Sequence, residues 1–374
     1  MTSEALAIHG EATPEWLTQV LQHTGYLSHG TVITVESEHI GSVFNSQTQR
    51  LHVSYSSEST GLPTHFVLKR NTQEDWCKRA QAREVLFYQT IAHLSDHPKV
   101  LVPCYAAAYD EESKNSYILM LDVSETHREP ITRAETITTL GSVPQPSSID
   151  AVIDTLAMLQ AYWWEHPLLK TPMARADIWE TQFTPVKRFV QYYADLWAQV
   201  LELTANDPLP EEVRSGYEAC LKLLPRLWEK QLNPRFSSGK QLTLVHGDAY
   251  FSNFLVSRQQ PGPTYLIDWQ SPQVHIGGED LANLMATFWT RAQRQEGQRE
   301  QQALRRFYQT LTAQGVNTYS WNELLRDYRL GIIDWLFMPV WDATNGSRRD
   351  YWWPKMNCLF QAFQDWECLT FMAE

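Results

Sequence analysis

Positive charge is scarce in this chain. Its 374 residues carry 31 Lys and Arg against 43 Asp and Glu, a formal net charge of -12. Nucleic acids and anionic bilayers are bound non-specifically through basic surface, so both are excluded as partners. Cysteine is scarce as well: Cys77, Cys104, Cys220, Cys358 and Cys368 are odd in number, scattered, and never spaced as CxxC. That usage fits reduced thiols in a cytosol and gives no cysteine metal site. Long hydrophobic runs are missing. The most apolar, "GIIDWLFMPVW" from Gly331, is too short to span a bilayer and carries Asp334, so it reads as a buried helix. No basic-then-apolar leader opens the chain, so no signal peptide is expected and the expected location is cytoplasmic.

What is present describes an ordinary globular protein, 43% hydrophobic and 20% charged. The length suffices for two domains or lobes, each with its own core. The first part alternates helix and strand signals. "TPEWLTQVLQH" opens with Thr13 as N-cap and Pro14 at the first helical position. The runs "TVITVESEHIG", "QRLHVSYSS" and "HFVLKRN" read as three strands, rich in β-branched and aromatic residues. An amphipathic helix follows over roughly Asp75 to Ser95, with Ala80, Val85, Leu86, Tyr88 and Ile91 able to share a face. "VLVPCYAAAYD" and "SYILMLDV" complete a five-stranded, mostly antiparallel sheet. After a polar connection, helical patterns dominate from Ile149 onward, including "VKRFVQYYADLWAQVLEL" and "EEVRSGYEACLKLLPRLWEKQL". The expected fold is α+β in two lobes: residues 1–122, a small sheet lobe with one long helix, and residues 123–374, a larger helical lobe. Ligands commonly bind between two such lobes.

Chemistry-bearing residues fall in a fixed order along this layout. Lys69 sits in the third strand and Glu84 in the middle of the following helix. "LVHGDAYFSNFLV" then joins two apolar runs by a loop longer than a tight hairpin needs, with Asp248 five positions before Asn253. "YLIDWQ" places Asp268 at the end of an apolar strand. A Lys and Glu that hold phosphates, an Asp that takes a hydroxyl proton, and two hard oxygen donors for Mg²⁺ are the parts phosphoryl transfer needs. Each alone has a plain structural reading, as a strand-end lysine, a solvated helix face or a polar loop. The combination is far more specific.

On these residues the chain resembles the aminoglycoside phosphotransferase and choline kinase superfamily, which shares the protein kinase fold. "HGDAYFSN" and "LIDWQ" look closest to its ecdysteroid-kinase-like branch, over roughly Ile33 to Leu284. The resemblance implies Asp248 as the catalytic Asp, Asn253 and Asp268 as metal ligands, and Lys69 with Glu84 as the phosphate-holding pair. His246 would brace the loop, and Asp280 would hold it through backbone hydrogen bonds. "LMLDV" would be the hinge whose backbone, from Leu121 to Val123, receives adenine. ATP and Mg²⁺ are the implied cofactors. The loop "HIGSVFNSQT" departs from the pattern, with Gly41 in place of GxGxxG; amides near Ser42 would bind phosphate there.

No peptide-docking segment follows Asp268, which points to a small-molecule hydroxyl acceptor. Fifteen tryptophans invite two readings, as core between long helices or as an aromatic acceptor pocket. With Asp334 and Asp342 beside Trp163, Trp164, Trp335, Trp341 and Trp352, such a pocket would take an organic cation; without them, a bulky apolar alcohol. The expected activity is an ATP-dependent phosphotransferase with an alcohol acceptor. A kinase-fold protein that binds nucleotide without turnover, and nucleotidyl transfer from the same site, are the competing readings.

Overall fold

Alternation of buried and exposed side chains builds the first sheet. In β2 (Ser46–Tyr55), Leu51 and Val53 are buried while His52 and Ser54 between and after them face out, the period of a half-buried strand. β1 (Val32–Ile40), β3 (His65–Asn71), β4 (Cys104–Tyr109) and β5 (Ser116–Leu121) join it in the order β1-β2-β3-β5-β4. Every neighbouring pair is antiparallel. The computed structural model describes residues 11–41, 46–136, 140–171, 186–259 and 261–374; Ser42 lies outside them.

Two helices pack with this sheet. α1 (Pro14–His23) starts as its sequence signals: Thr13 Oγ1 accepts the Trp16 N–H at 3.2 Å and Pro14 fills the first position. Its Leu17, Val20 and Leu21 join Leu51, Phe66, Leu68 and Leu119 in one core cluster. Each such side chain contributes about 1.5–3 kcal/mol of burial. α2 (Asp75–Ile91) buries Cys77, Ala80, Gln81, Glu84, Val85, Phe87 and Tyr88. Leu86, expected on the buried face, is instead exposed. At about 100° per residue it stands on the far side of the helix from Glu84, and that glutamate is what the helix buries.

The chain divides into two units: Met1–Arg128 with Ser257–Pro272, and Glu129–Val256 with Gln273–Glu374. The expected boundary after residue 122 therefore sits a few residues early, and a late hairpin segment belongs to the first unit. Local bonds explain that membership. The Leu266 N–H donates to Val100 O and the Arg258 N–H to Thr126 O, each at 2.8 Å. Trp269 stacks on Phe87 with ring centroids 4.0 Å apart.

The second unit is mainly helical. Its helices include Pro146–Tyr162, Val186–Leu203, Glu211–Leu227, Arg299–Ala313 and Arg349–Asp365. The apolar run from Gly331, expected as one helix, is two: Trp321–Trp335 ends and Met338–Thr344 restarts. Pro339 causes the break, because it lacks an N–H and its ring clashes with the carbonyl four residues back. Helices Gly278–Met285 and Trp321–Trp335 touch backbone to backbone. A Cβ on Gly278 would lie 2.2 Å from the Asp327 carbonyl, and one on Gly331 2.5 Å from the Gly278 carbonyl oxygen. Strands Thr243–Val245 and Gln273–His275 pair antiparallel and present the segments that follow them. Among the described residues, no helix is long and apolar enough to cross a membrane.

Candidate active site

In the first unit the predicted residues converge on one ammonium group. Lys69, on β3, places Nζ 2.6 Å from Glu84 Oε2 and 2.5 Å from Asp268 Oδ1. The Lys69 and Glu84 side chains are buried, while Asp268 is a quarter exposed. Burial alone would lower the Lys69 pKa; the charges of Asp268 and Glu84 outweigh it and raise it. Burial likewise pushes the Glu84 carboxyl up, and the Lys69 charge works against that shift. The other Glu84 oxygen accepts the Trp269 N–H at 3.3 Å, and the Trp269 indole donates to Leu266 O at 3.0 Å. Asp268 has φ +67°, a left-handed conformation costly for a side-chain-bearing residue but better tolerated by Asp than by most. Such strain persists only where surroundings fix it, and here the stacked Trp269 and the ion pair do so.

The hinge segment belongs to the same unit. Val123 is buried, and its carbonyl already accepts the N–H groups of Thr126 and His127, at 3.0 and 2.8 Å. With both lone pairs used, Val123 offers a ligand its N–H. The Leu121 N–H donates to Pro103 O at 2.9 Å. Between them Asp122 accepts from Arg50 Nε at 2.5 Å and from the Ser124 N–H at 2.8 Å. Burial would raise the Asp122 carboxyl, but these two donors outweigh it and hold it below its ordinary value.

In the second unit, the loop after Thr243–Val245 is fixed by a buried carboxylate. Asp280 accepts the Gly247 N–H on Oδ1 at 3.0 Å and the His246 N–H on Oδ2 at 2.9 Å, with Gln160 Nε2 at 3.2 Å. Gly247 takes φ +74°, which turns the chain sharply before Asp248 and favours glycine. Burial pushes the Asp280 carboxyl up to about 7 against those three donors. His246 is fully buried and Asp248 is half-buried. A short 3₁₀ turn, Phe251–Asn253, brings Asn253 back so that its Nδ2 donates to the Asp248 carbonyl at 2.8 Å. Because that partner is a carbonyl, the amide nitrogen must face it, which leaves Asn253 Oδ1 as the ligand atom.

The tryptophans divide. Trp163, Trp335 and Trp352 are buried, and Trp164 and Trp341 half-buried. The two acids expected beside them are committed elsewhere: Asp342 pairs with Lys355, and Asp334 lies against His275. Sequence reasoning missed an aromatic cluster that includes a residue of the loop carrying Asp248. Tyr250 and Phe288 form a small cluster with Leu140 and Tyr351 packed on it. The Arg133 guanidinium lies 5.9 Å from the Tyr250 ring centroid, and the Asp248 charge acts on it. Nothing in the local pattern of "ITRAET" marks Arg133 as different from any surface arginine.

This fold, an antiparallel five-stranded sheet with a buried Lys–Glu pair followed by a helical unit, is the protein-kinase-like fold of small-molecule phosphotransferases. It is shared with a protein from Ralstonia eutropha JMP134 provisionally described as an aminoglycoside phosphotransferase, 13% identical, TM-score 0.53, covering 90% of this chain and 93% of that one. It is shared also with an ethanolamine kinase from Plasmodium vivax, 11% identical, TM-score 0.50, covering 89% and 84%. No curated protein matches the chain. By sequence the chain belongs to the DUF1679 family, described as "Uncharacterized oxidoreductase dhs-27", whose model matches residues 46–340.

Proposed function

We propose that this chain is a kinase that transfers the γ-phosphoryl group of ATP to a hydroxyl of a small molecule. The observation that carries the reading is the buried Lys69 ammonium, held by Glu84 and touching Asp268. A cation so compensated on two sides is poised to exchange Asp268 for a phosphate oxygen while Glu84 keeps it in place. Asp268, released from Lys69, and Asn253 Oδ1 would then hold Mg²⁺. When bound, that ion offsets the charge on the β- and γ-phosphate oxygens. The Leu121–Val123 backbone would receive adenine, and amides near Ser42 the phosphates. Asp248 orients the acceptor hydroxyl and takes its proton as the new oxygen–phosphorus bond forms. The bond from phosphorus to the β,γ-bridging oxygen breaks, and ADP leaves.

For the acceptor, the surroundings of Asp248 favour a bulky apolar alcohol over an organic cation. Tyr250, Phe288, Tyr351 and Leu140 form an apolar cluster that reaches the loop of Asp248, Arg133 would repel a cation, Asp342 is paired with Lys355, and Asp334 faces His275. A nucleotide binder without turnover is disfavoured, since Lys69, Glu84, Asp248, Asn253 and Asp268 are all present. The family description supplies a second reading, an oxidoreductase. Against nicotinamide binding stand an antiparallel sheet and a chain without GxGxxG, where the dinucleotide fold is parallel and glycine-rich at its first turn.

The test is product analysis over a panel of sterol-like alcohols, amino alcohols, aminoglycosides and guanidino compounds. Acceptor-dependent ADP release supports the kinase; pyrophosphate release would mean nucleotidyl transfer, and NAD(P)H turnover without ADP would overturn the reading. Two variants then separate roles. Asp248→Asn should lose about 10²–10⁴-fold in kcat and keep Mg-ATP binding, the usual size of a general-base contribution. Asp268→Asn should weaken Mg-ATP binding itself and raise the Mg²⁺ requirement. The reverse pattern would mean the two carboxylates are exchanged.

A further inference from the structure

A second cluster of ligating side chains lies wholly within the helical unit and takes no part in the proposed reaction. His275 ends the strand Gln273–His275, Glu279 sits in the first turn of Gly278–Met285, and Asp334 in the last turn of Trp321–Trp335. The backbone contact at Gly278 and Gly331 fixes the two helices against each other. One donor atom from each of the three residues lies within 4.8 Å of the others.

The hydrogen bonding of this cluster is incomplete. Asp334 Oδ2 is buried and makes no hydrogen bond. His275 Nδ1 and Glu279 Oε2 pair at 2.5 Å, but His275 Nε2 stands 3.6 Å from Asp334, beyond hydrogen-bond reach. Buried polar atoms left in this way are uncommon in native proteins and each calls for a missing partner. The rest of the cluster is already supported. The second Glu279 oxygen accepts from Gln273 Nε2 at 2.7 Å, and the Trp335 indole donates to the Glu279 carbonyl at 3.1 Å. A carboxylate held through one oxygen, with its other oxygen turned into a buried cluster, is how outer partners orient a metal ligand. The Phe236 ring closes one side, 5.5 Å from the imidazole.

Charge points the same way. Two ionised carboxylates with a neutral imidazole bury two negative charges, which the empty cluster can relieve only by taking up protons. A divalent cation leaves none, and an uncompensated buried charge costs several kcal/mol. We infer that His275, Glu279 and Asp334 bind a divalent transition-metal ion, zinc being the one their donors suit. One imidazole nitrogen and two carboxylate oxygens match zinc with three protein ligands and an open fourth position. Mg²⁺ and Ca²⁺ prefer oxygen throughout. Ligands ~2.0–2.2 Å from a tetrahedral ion stand roughly 3.3–3.5 Å apart, so Glu279 must draw back from His275 by about 1 Å, a side-chain adjustment.

The full chain, stripped with a chelator, is dialysed against Zn²⁺ in the presence of excess Mg²⁺, desalted, and its metal content measured. Zinc retained at one ion per chain, lost in His275→Gln and in Asp334→Asn but kept in Asp268→Asn, is the expected result. Co²⁺ in place of Zn²⁺ should give the visible absorption of a four-coordinate site. A wild-type chain that retains no zinc overturns the inference, as does zinc held equally by His275→Gln and Asp334→Asn, or zinc lost in Asp268→Asn. If either cluster variant fails to fold, the wild-type stoichiometry and cobalt spectrum still decide: no four-coordinate cobalt band means no such site.

Discussion

Replacing Lys69 by Met should cost about 3–4 kcal/mol at pH 7, and most of that loss should vanish on acidification. The change leaves Glu84, 1% exposed, with the Trp269 N–H still donating to it but no cation beside it. An orphaned buried carboxylate escapes by taking a proton. At pH 7, protonating a group whose unfolded pKa is ~4.3 costs about 1.36 × 2.7, or ~3.7 kcal/mol. That sets the scale of the penalty, and it agrees with the ~3–5 kcal/mol seen on breaking buried pairs. Asp268, a quarter exposed, can turn to water and adds less. In the variant the folded-state pKa of Glu84 lies above its unfolded value. The stability tied to its proton is therefore fully present below about pH 4.3 and lost as pH rises. The deficit should shrink by ~1.4 kcal/mol per pH unit of acidification, to roughly 1 kcal/mol at pH 5. Lys69→Met with Glu84→Gln should recover much of the loss, since no buried charge then lacks a partner. Urea unfolding of wild type, both single variants and the double variant at pH 7 and pH 5 measures all of this. A Lys69→Met penalty under ~1 kcal/mol and equal at both pH values would refute the buried-pair reasoning. With native stabilities of about 5–15 kcal/mol the variant stays folded, so its loss of turnover can be read separately.

Asp280→Ala should cost about 3 kcal/mol or more, because the His246 and Gly247 N–H groups lose their carboxylate acceptor at ~1–3 kcal/mol each; faster amide exchange at residues 246–248 would show it. Asp122→Asn should flatten the acid limb of stability. The native Asp122 carboxyl lies below its ordinary value, so its contribution is present above about pH 4 and lost as pH falls, and urea midpoints from pH 5 to pH 3 measure it. Gly278→Ala drives a methyl into the Asp327 backbone and should lower stability by about 3 kcal/mol, read as a fall in Tm; an unchanged Tm would mean the two helices can separate freely.

What the sequence displays and what it conceals follow from the range of the forces involved. The five strands and the helix Val186–Leu203 were legible because a period of two or 3.6 repeats within a few residues. The broken helix at Pro339 was legible in principle, since proline's constraint is local, but an unbroken apolar run hid it. The orientation of α2 was not legible, because its buried face is set by an ion pair and by the Trp269–Phe87 stack, whose partners lie far along the chain. Lys69 meets Asp268 across 199 positions, and no window of sequence contains both. The site therefore announced its residue types and withheld their pairings. A lysine in an apolar strand and a glutamate amid a buried helix face are each anomalous enough to notice; that one ammonium compensates two carboxylates takes coordinates to see. The same reasoning applies to the tryptophans. Trp163, Trp335 and Trp352 are large and apolar and the helical unit needs their volume, whereas Arg133 and Tyr351, beside the loop that carries Asp248, look like surface residues in every local respect. Burial selects by volume and is written in composition, but recognition selects by position relative to a reacting atom, and that position is fixed by contacts made over the whole chain.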